Sequence, residues 1–531
     1  MTYSHKTAAP VVRKPSTWKV AYADTDTGEW ITDDGREHVL GAFPHLAHIL
    51  YFALYEGVQM VYLTGSMPGI EEQRGTKGSF ENWVLSDAVK SEWHDEQTHY
   101  GDVQLAASKA FANPVIRKRS RATGERVELH RAFAWFGGEP CKPKQMREAM
   151  QQLASMLSEK WSTAERQEII TLQATPNQTG RRLWEQWLNS KGKKPDDYPP
   201  LPEETRRLIQ SNSGQGRFEM CTLPDLQEIE GLYCLDGRFM YAASLNGLPC
   251  GTLLHDDKSE FLPNVRGRYR VRYEVPADWK HLGLLMTKEG ADKWAYPAVP
   301  GETAETWSSW TELQLAINKG WKVEIRERLL WLEAAQKDGP ASPLETWGNR
   351  LVELYLTEGT PRLVKIAIRN IVLTTIGGFM AKQRIRTYVG DINDPAFVET
   401  VKKAEDVKET PSGRYTCEVP IEMTPRQILF AHPEWCADIW GRCRTRMLHY
   451  DKKRGRGEIV ASWGALDVPR ERVIAIRSDA LWLSYNPEWQ DDGMPGSMRL
   501  KECIARPVTA PHSEEQLRSL LSREVDKSNG K

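Results

Sequence analysis

Two acids stand where the chain turns. Asp236 closes the apolar run Tyr233-Cys234-Leu235, and Asp479 lies between the apolar runs 473–476 and 481–483. A carboxylate at a strand end or hairpin tip offers hard oxygen ligands to Mg²⁺. The same residue also serves as an ordinary turn former. Segment 360–379 supplies cations. Thr360 as N-cap and Pro361 at the first helical position predict a helix start. Val364, Ile368, Ile371, Val372 and Thr375 fall on one apolar stripe. Arg362, Lys365 and Arg369 share another face, and Gly377-Gly378 is expected to end the helix. Such a face is ordinarily solvated; beside metal-binding acids it would clamp a triphosphate. A further segment, Gly214-Gln215-Gly216-Arg217, combines two glycines that permit close backbone approach with an arginine able to bind phosphate. A plain turn is the alternative.

The order of these segments carries more than any one of them. Gly-x-Gly-Arg comes first, then a strand-end Asp with a Tyr soon after, a basic helix with Gly-Gly, and a hairpin Asp. In that order they resemble the family-B DNA polymerases, more narrowly the protein-primed branch, over about residues 170–505. Gly214–Arg217 resembles the Tyr-x-Gly-Gly element between exonuclease and polymerase domains. Asp236 and Tyr241 resemble the ends of Asp-x-x-Ser-Leu-Tyr. Arg369, Thr374, Ile376 and Gly377 fall on Lys-x-x-x-Asn-Ser-x-Tyr-Gly, and Asp479 on the second acid of Asp-Thr-Asp-Ser. The chain departs from the pattern at Phe239, Met240 and Ala242, at Leu373 and Ile376, and at Arg477, which replaces the first acid of the last motif. The Lys-x-Tyr element expected near the thumb has only Lys501 as a loose counterpart.

The resemblance implies an α+β right-hand polymerase of palm, fingers and thumb, with an N-terminal exonuclease-like α/β domain. It implies template-directed DNA synthesis with Mg²⁺ (or Mn²⁺) held by Asp236 and Asp479. Tyr241, Lys365, Arg369, Thr374 and Gly377 would serve the nucleotide, with Tyr241 beneath the deoxyribose. Gly214, Gly216, Arg217, Arg477 and Lys501 would serve DNA. The implied partners are a DNA primer-template and deoxynucleoside triphosphates, with a terminal protein as one form of primer. The alternative is a catalytically inactive polymerase-fold protein that binds DNA or assists replication. Arg477 motivates it, because an arginine cannot deprotonate and its charge opposes a metal. Residues 477 and 479 share a face in a regular strand. A break at Ser478 is therefore expected, turning Arg477 to a DNA phosphate or an acid and Asp479 to Asp236, with the carboxyls about 4–7 Å apart.

In the N-terminal third, Asp24-Thr25-Asp26 resembles the first exonuclease motif, with Asp26 in place of Glu. The expected second motif, an Asn and an Asp, should fall at 62–67, where no carboxylate stands, and Tyr100 with Asp102 lacks the spacing of a third. A degenerate exonuclease-like domain is expected; a nuclease resting on Asp24 and Asp26 and an unrelated α/β domain are the other readings.

The elements that must position these residues follow from pattern. Strands are expected at 18–24 and 58–63 around a helix at 45–56, a hairpin around Thr123-Gly124-Glu125, and helices at 143–160, 179–189 and 433–447. The Pro- and Lys-rich stretch 191–204 reads as a linker. The expected layout is an arm at 1–16, the exonuclease-like domain at 17–190, the polymerase body at 205–505, and a helix and tail at 506–531. Seventy-one basic residues against 72 acidic ones give no global nucleic-acid signature, so a groove must be basic locally, 116–121 (IRKRSR) being one source. The eight cysteines form no CxxC pair, which argues against zinc and disulfides and fits a reducing cytoplasm. No apolar run reaches the roughly 18 residues of a membrane span, and the first residues lack a secretory apolar core.

Overall fold

The computed structural model describes residues 18–43, 46–65, 93–95, 115–120, 122–290, 293–335, 342–381, 384–402, 404, 406–409, 415–454 and 458–529. The expected arm 1–16, the pair Tyr100 and Asp102, and residues 66–67 lie outside them. Two units form. The first takes 1–186, 354–371 and 383–423; the second takes 187–353, 372–382 and 424–531. This grouping differs from the contiguous 205–505 body read from sequence, because two later segments join the first unit. Among the described residues no helix is long and apolar enough to cross a membrane.

The first unit holds a seven-stranded sheet in the order Glu37–Val39, Glu29–Thr32, Val20–Asp24, Met60–Thr64, Arg126–Arg131, Val115–Ser120, Trp93–Asp95. The central three strands run parallel and the rest antiparallel. Alternation explains the two faces. Ala21, Ala23, Val61, Leu63, Val127 and Leu129 share a core with Ile49 and Leu50 of helix Leu46–Tyr55. Tyr22, Tyr62 and His130 take the opposite phase along their strands, Tyr22 stacked on Tyr62. The Thr123–Glu125 turn joins the two antiparallel strands as expected, with Gly124 at φ +70°.

In the second unit, five antiparallel strands lie in the order Met498–Ile504, Leu232–Gly237, Ala480–Leu483, Val473–Arg477, Phe218–Met220. Helix Glu514–Asn529 contributes Leu517 to the core of this sheet, beside Cys234, Ile474 and Trp482. A four-stranded sheet (Leu254–Asp256, Lys322–Trp331, Arg266–Glu274, Thr303–Ser309) lies in the same unit. Helix Pro433–Leu448 is almost wholly buried, which accounts for its Trp, Cys and Gly content.

Helix Arg362–Phe379 forms where the stripe predicts, and all five stripe residues are buried. It does not stop at Gly377-Gly378. Glycine costs about 1 kcal/mol in a helix interior, but Ile376 and Phe379 are buried on either side. Phe379 packs on Trp435 and His432 and accepts a hydrogen bond from His432 N at 2.8 Å. Tertiary packing outweighs the local stop signal.

Candidate active site

Asp479 is presented by a two-residue turn. Arg477 pairs with Ala480, leaving Ser478 and Asp479 as the loop. Ser478 has φ +60°, the left-handed conformation that two-residue hairpin loops require to follow strand twist. The expected break is therefore present. Arg477 turns to Glu514 on the C-terminal helix, forming an ion pair that Arg518 shares. The cation beside Asp479 is thus matched by an acid.

Asp236 stands on the neighbouring strand, directly opposite Ala480. Gly237 N donates to Asp479 O at 2.7 Å, so register alone sets the two acidic residues side by side. The chain then folds back through Phe239 at φ +48°, and Tyr241 returns to the same turn with its hydroxyl 2.9 Å from Ser478 Oγ. Burial, with smaller electrostatic contributions, pushes the Tyr241 phenol up to about 12. The glycine loop reaches this turn from the other side. Ser478 N donates to Arg217 O at 2.6 Å, and a Cβ on Gly216 would lie 2.9 Å from Ser478 Cα. Close approach is what Gly216 provides. Gly214 (φ +61°) sits against Met286 Sδ.

Two cations hold the Asp236 carboxylate. Arg499 Nη2 lies 3.1 Å from Oδ2 and Lys501 Nζ 3.6 Å from Oδ1, both projecting from the adjacent edge strand. Arg499 lies directly opposite Asp236, and Lys501 is the extra residue at an irregularity of the pairing. Lys501 sits with the acids. Arg499 was not among the residues expected from sequence, and only the pairing of its strand with that of Asp236 marks it.

The DNA-binding role expected of Arg217 is contradicted. Its side chain is fully buried, ion-paired with Glu219, donating to Gly283 O at 2.7 Å, and stacked 3.9 Å from the Tyr296 ring centre. A guanidinium so enclosed cannot reach a phosphate; its backbone carbonyl is what touches the hairpin. Arg217→Ala is expected to cost about 2–4 kcal/mol of stability while leaving the DNA affinity of the folded fraction unchanged in fluorescence anisotropy. Weaker binding by a fully folded variant would restore the phosphate role.

The basic helix is divided between the units. Lys365 and Arg369 belong to the first, Asp236, Asp479, Thr374 and Gly377 to the second. Thr374 and Gly377 are exposed one turn apart. Lys365 lies 6.0 Å from the Tyr355 ring centre, and Arg362 pairs with Glu139 at 2.9 Å.

Asp24 ends its strand as expected, and its carboxylate is occupied by the fold. Oδ1 accepts from Asp26 N, Thr27 N and Thr27 Oγ1, and Oδ2 from Thr64 Oγ1 at 3.0 Å. Burial opposes its ionisation, but the hydrogen bonds from Thr27, Thr64 and Asp26 outweigh burial and hold the pKa below the ordinary aspartate value. Asp26 itself is exposed. Among the described residues, no three His, Cys, Asp or Glu side chains gather as a metal site. Asp24→Ala is expected to lower stability by about 1–2 kcal/mol, read by urea denaturation. Single-strand degradation by the wild type that this substitution abolishes would instead make Asp24 a nuclease ligand.

No protein-family model and no curated protein matches the chain. Solved structures do. Phi29 DNA polymerase in complex with primer-template DNA and incoming nucleotide substrates aligns with a TM-score of 0.54 at 10% identity, covering 93% of this chain and 86% of that one. Its binary complex with primer-template DNA gives 0.55 at 10% identity over 92% and 85%. Its complex with single-stranded DNA gives 0.52 at 10% identity over 92% and 85%. At this identity the likeness is one of fold: the chain is a mixed α/β protein with a fold similar to that of phi29 DNA polymerase over most of its length.

Proposed function

We propose that the chain performs template-directed DNA synthesis by nucleotidyl transfer, with Asp236 and Asp479 as its catalytic acids. The observation that supports this most is the convergence of Asp236, Asp479 and Tyr241 on one two-residue turn. The carboxylate oxygens of the two acids fit a hard divalent cation. Asp236 is a nearly buried acid whose charge is already balanced by cations, the mark of a position built for positive charge. Asp236 and Asp479 would hold Mg²⁺ or Mn²⁺, which supplies charge stabilisation at the primer 3′-hydroxyl and the phosphates. Tyr241 would pack beneath the deoxyribose, its phenol protonated and fixed by Ser478, so that a 2′-hydroxyl collides with it. Thr374 and Gly377 would face the nascent base pair. Lys501 and Arg499 would transfer from Asp236 to DNA phosphate as substrate arrives. Gly214 and Gly216 keep the loop thin beside the template, and Arg477 stays with Glu514. The primer-template, deoxynucleoside triphosphates and a terminal protein primer are the proposed partners. A right-hand body with an N-terminal exonuclease-like domain that has lost hydrolysis is the proposed layout, and the cytoplasm, where its free cysteines stay reduced, the proposed compartment.

A second reading has its own support. Arg499 and Lys501 engage both oxygens of Asp236, and Arg477 stands where the resembled motif has its first acid. A polymerase-fold protein that binds DNA without extending it would keep this arrangement permanently. Extension of a labelled primer by the purified chain, with Mg²⁺ or Mn²⁺, separates the two. DNA binding without extension under either metal replaces the first reading with the second.

A further inference from the structure

We propose that the buried Arg444–Glu312 pair is a positioning device for Asp479, acting through the glycine loop. The proposal rests on the catalytic reading of Asp479. Arg444 and Glu312 are about as buried as side chains become, at 1% and 2% exposure. The guanidinium grips the carboxylate in a fork, Nε to Oε1 at 2.7 Å and Nη2 to Oε2 at 3.0 Å. Its remaining terminal nitrogen donates to two loop carbonyls, Ser213 O at 3.1 Å and Gln215 O at 2.6 Å. Arg268, also buried, donates to Asn212 O at 2.7 Å. Residues 213–217 belong to no helix or strand. Carbonyls at a helix end and in irregular backbone need donors from elsewhere, and these two arginines supply them.

The loop passes that order to the hairpin. Immediately after Gln215, Gly216 lies against Ser478, and Arg217 O accepts from Ser478 N. Ser478 holds the left-handed conformation that turns Asp479 away from Arg477. The line from Glu312 to Asp479 is therefore continuous: ion pair, loop carbonyls, Gly216–Arg217, Ser478, Asp479. Gly441 makes room for it, since a Cβ there would meet Ser309 Oγ at 2.3 Å and Glu312 Oε2 at 3.2 Å. A buried ion pair is often no more stabilising than apolar residues of the same volume. Holding a loop in one conformation is a use that apolar residues could not serve, because they cannot donate to its carbonyls.

Arg444→Lys keeps the charge and loses the fork. Amide hydrogen exchange at Ser478 is expected to accelerate about tenfold or more in this variant, with exchange in Val20–Asp24 unchanged. Single-nucleotide incorporation should show kcat falling by about tenfold and KM for the nucleotide within about twofold. Its effect should not add to that of Gly216→Ala, which breaks the same line downstream. A merely structural pair would lower stability without this split. Should Arg444→Lys fail to fold, Glu312→Gln, which keeps the shape and removes the charge, takes both readouts. Unchanged exchange at Ser478 overturns the proposal, as does faster exchange with kcat intact. Failure of the catalytic reading shows separately, as a wild type that extends no primer; exchange at Ser478 then decides alone whether the clamp holds the turn.

Discussion

Primer extension is expected to fall on the order of 10³–10⁴-fold in Asp236→Ala and in Asp479→Ala, with both variants retaining the wild-type fold and Asp479→Ala the wild-type DNA affinity. The size of the effect follows from the geometry. The two acids stand one register position apart across adjacent strands, and among the described residues no third His, Cys, Asp or Glu side chain joins them as a metal site. Each would therefore be irreplaceable. Asp236→Ala carries a second consequence, because it leaves Arg499 and Lys501 without their anion. Two released cations beside the primer terminus should tighten DNA binding and steepen its salt dependence. Single-turnover extension and anisotropy over a salt series check the two halves. Extension surviving at more than a tenth of the wild-type rate in both variants would remove these acids from the chemistry.

Glu312→Ala is expected to destabilise the second unit by about 3–5 kcal/mol. The substitution leaves Arg444 and Arg268 buried with no anion between them. Burial alone would push the Glu312 pKa up, but the Arg444 charge and the hydrogen bonds from Arg444 and Ser309 outweigh it and hold the acid below the ordinary glutamate value. Arg444 is correspondingly raised by Glu312 in spite of its burial. A folded pKa below the unfolded one means that the pair's contribution is complete above the ordinary glutamate range. It is lost as pH falls through the folded value. The stability gap between wild type and variant, followed by urea denaturation, should be flat above about pH 6 and close as the pH drops below about 4. A gap that does not close on acidification would show that shape, and not charge, holds this pair.

Local pattern went far in this chain. Alternation and turn residues delimited the Thr123–Glu125 hairpin, the helix stripe from Val364 to Thr375, and the hairpin that lifts Asp479. They also required the break at Ser478, because two residues on one strand face cannot diverge without it. The close approach at Gly216 was legible for a similar reason: a missing Cβ has few other uses in such a loop. These features depend on neighbours in sequence, and the sequence lists those neighbours.

Charge partnerships are different. Arg217 and Lys501 look alike as basic residues, yet one is sealed beneath Tyr296 and the other reaches Asp236. Nothing within several positions of Arg217 distinguishes a buried guanidinium from a phosphate ligand; the difference lies in Glu219, Gly283 and Tyr296 closing over it. Glu312 and Arg444 meet across more than a hundred residues, and Arg499 becomes visible only once its strand is placed beside Asp236. Gly377-Gly378 failed as a stop because the buried Phe379 outweighs the glycine penalty. Sequence by itself determined where the chain turns and which faces are apolar, since covalent geometry and side-chain period decide those within a few residues. Tertiary structure decided which cation meets which acid, since burial and long-range pairing fix the energy of a charge and neither is written in its local sequence.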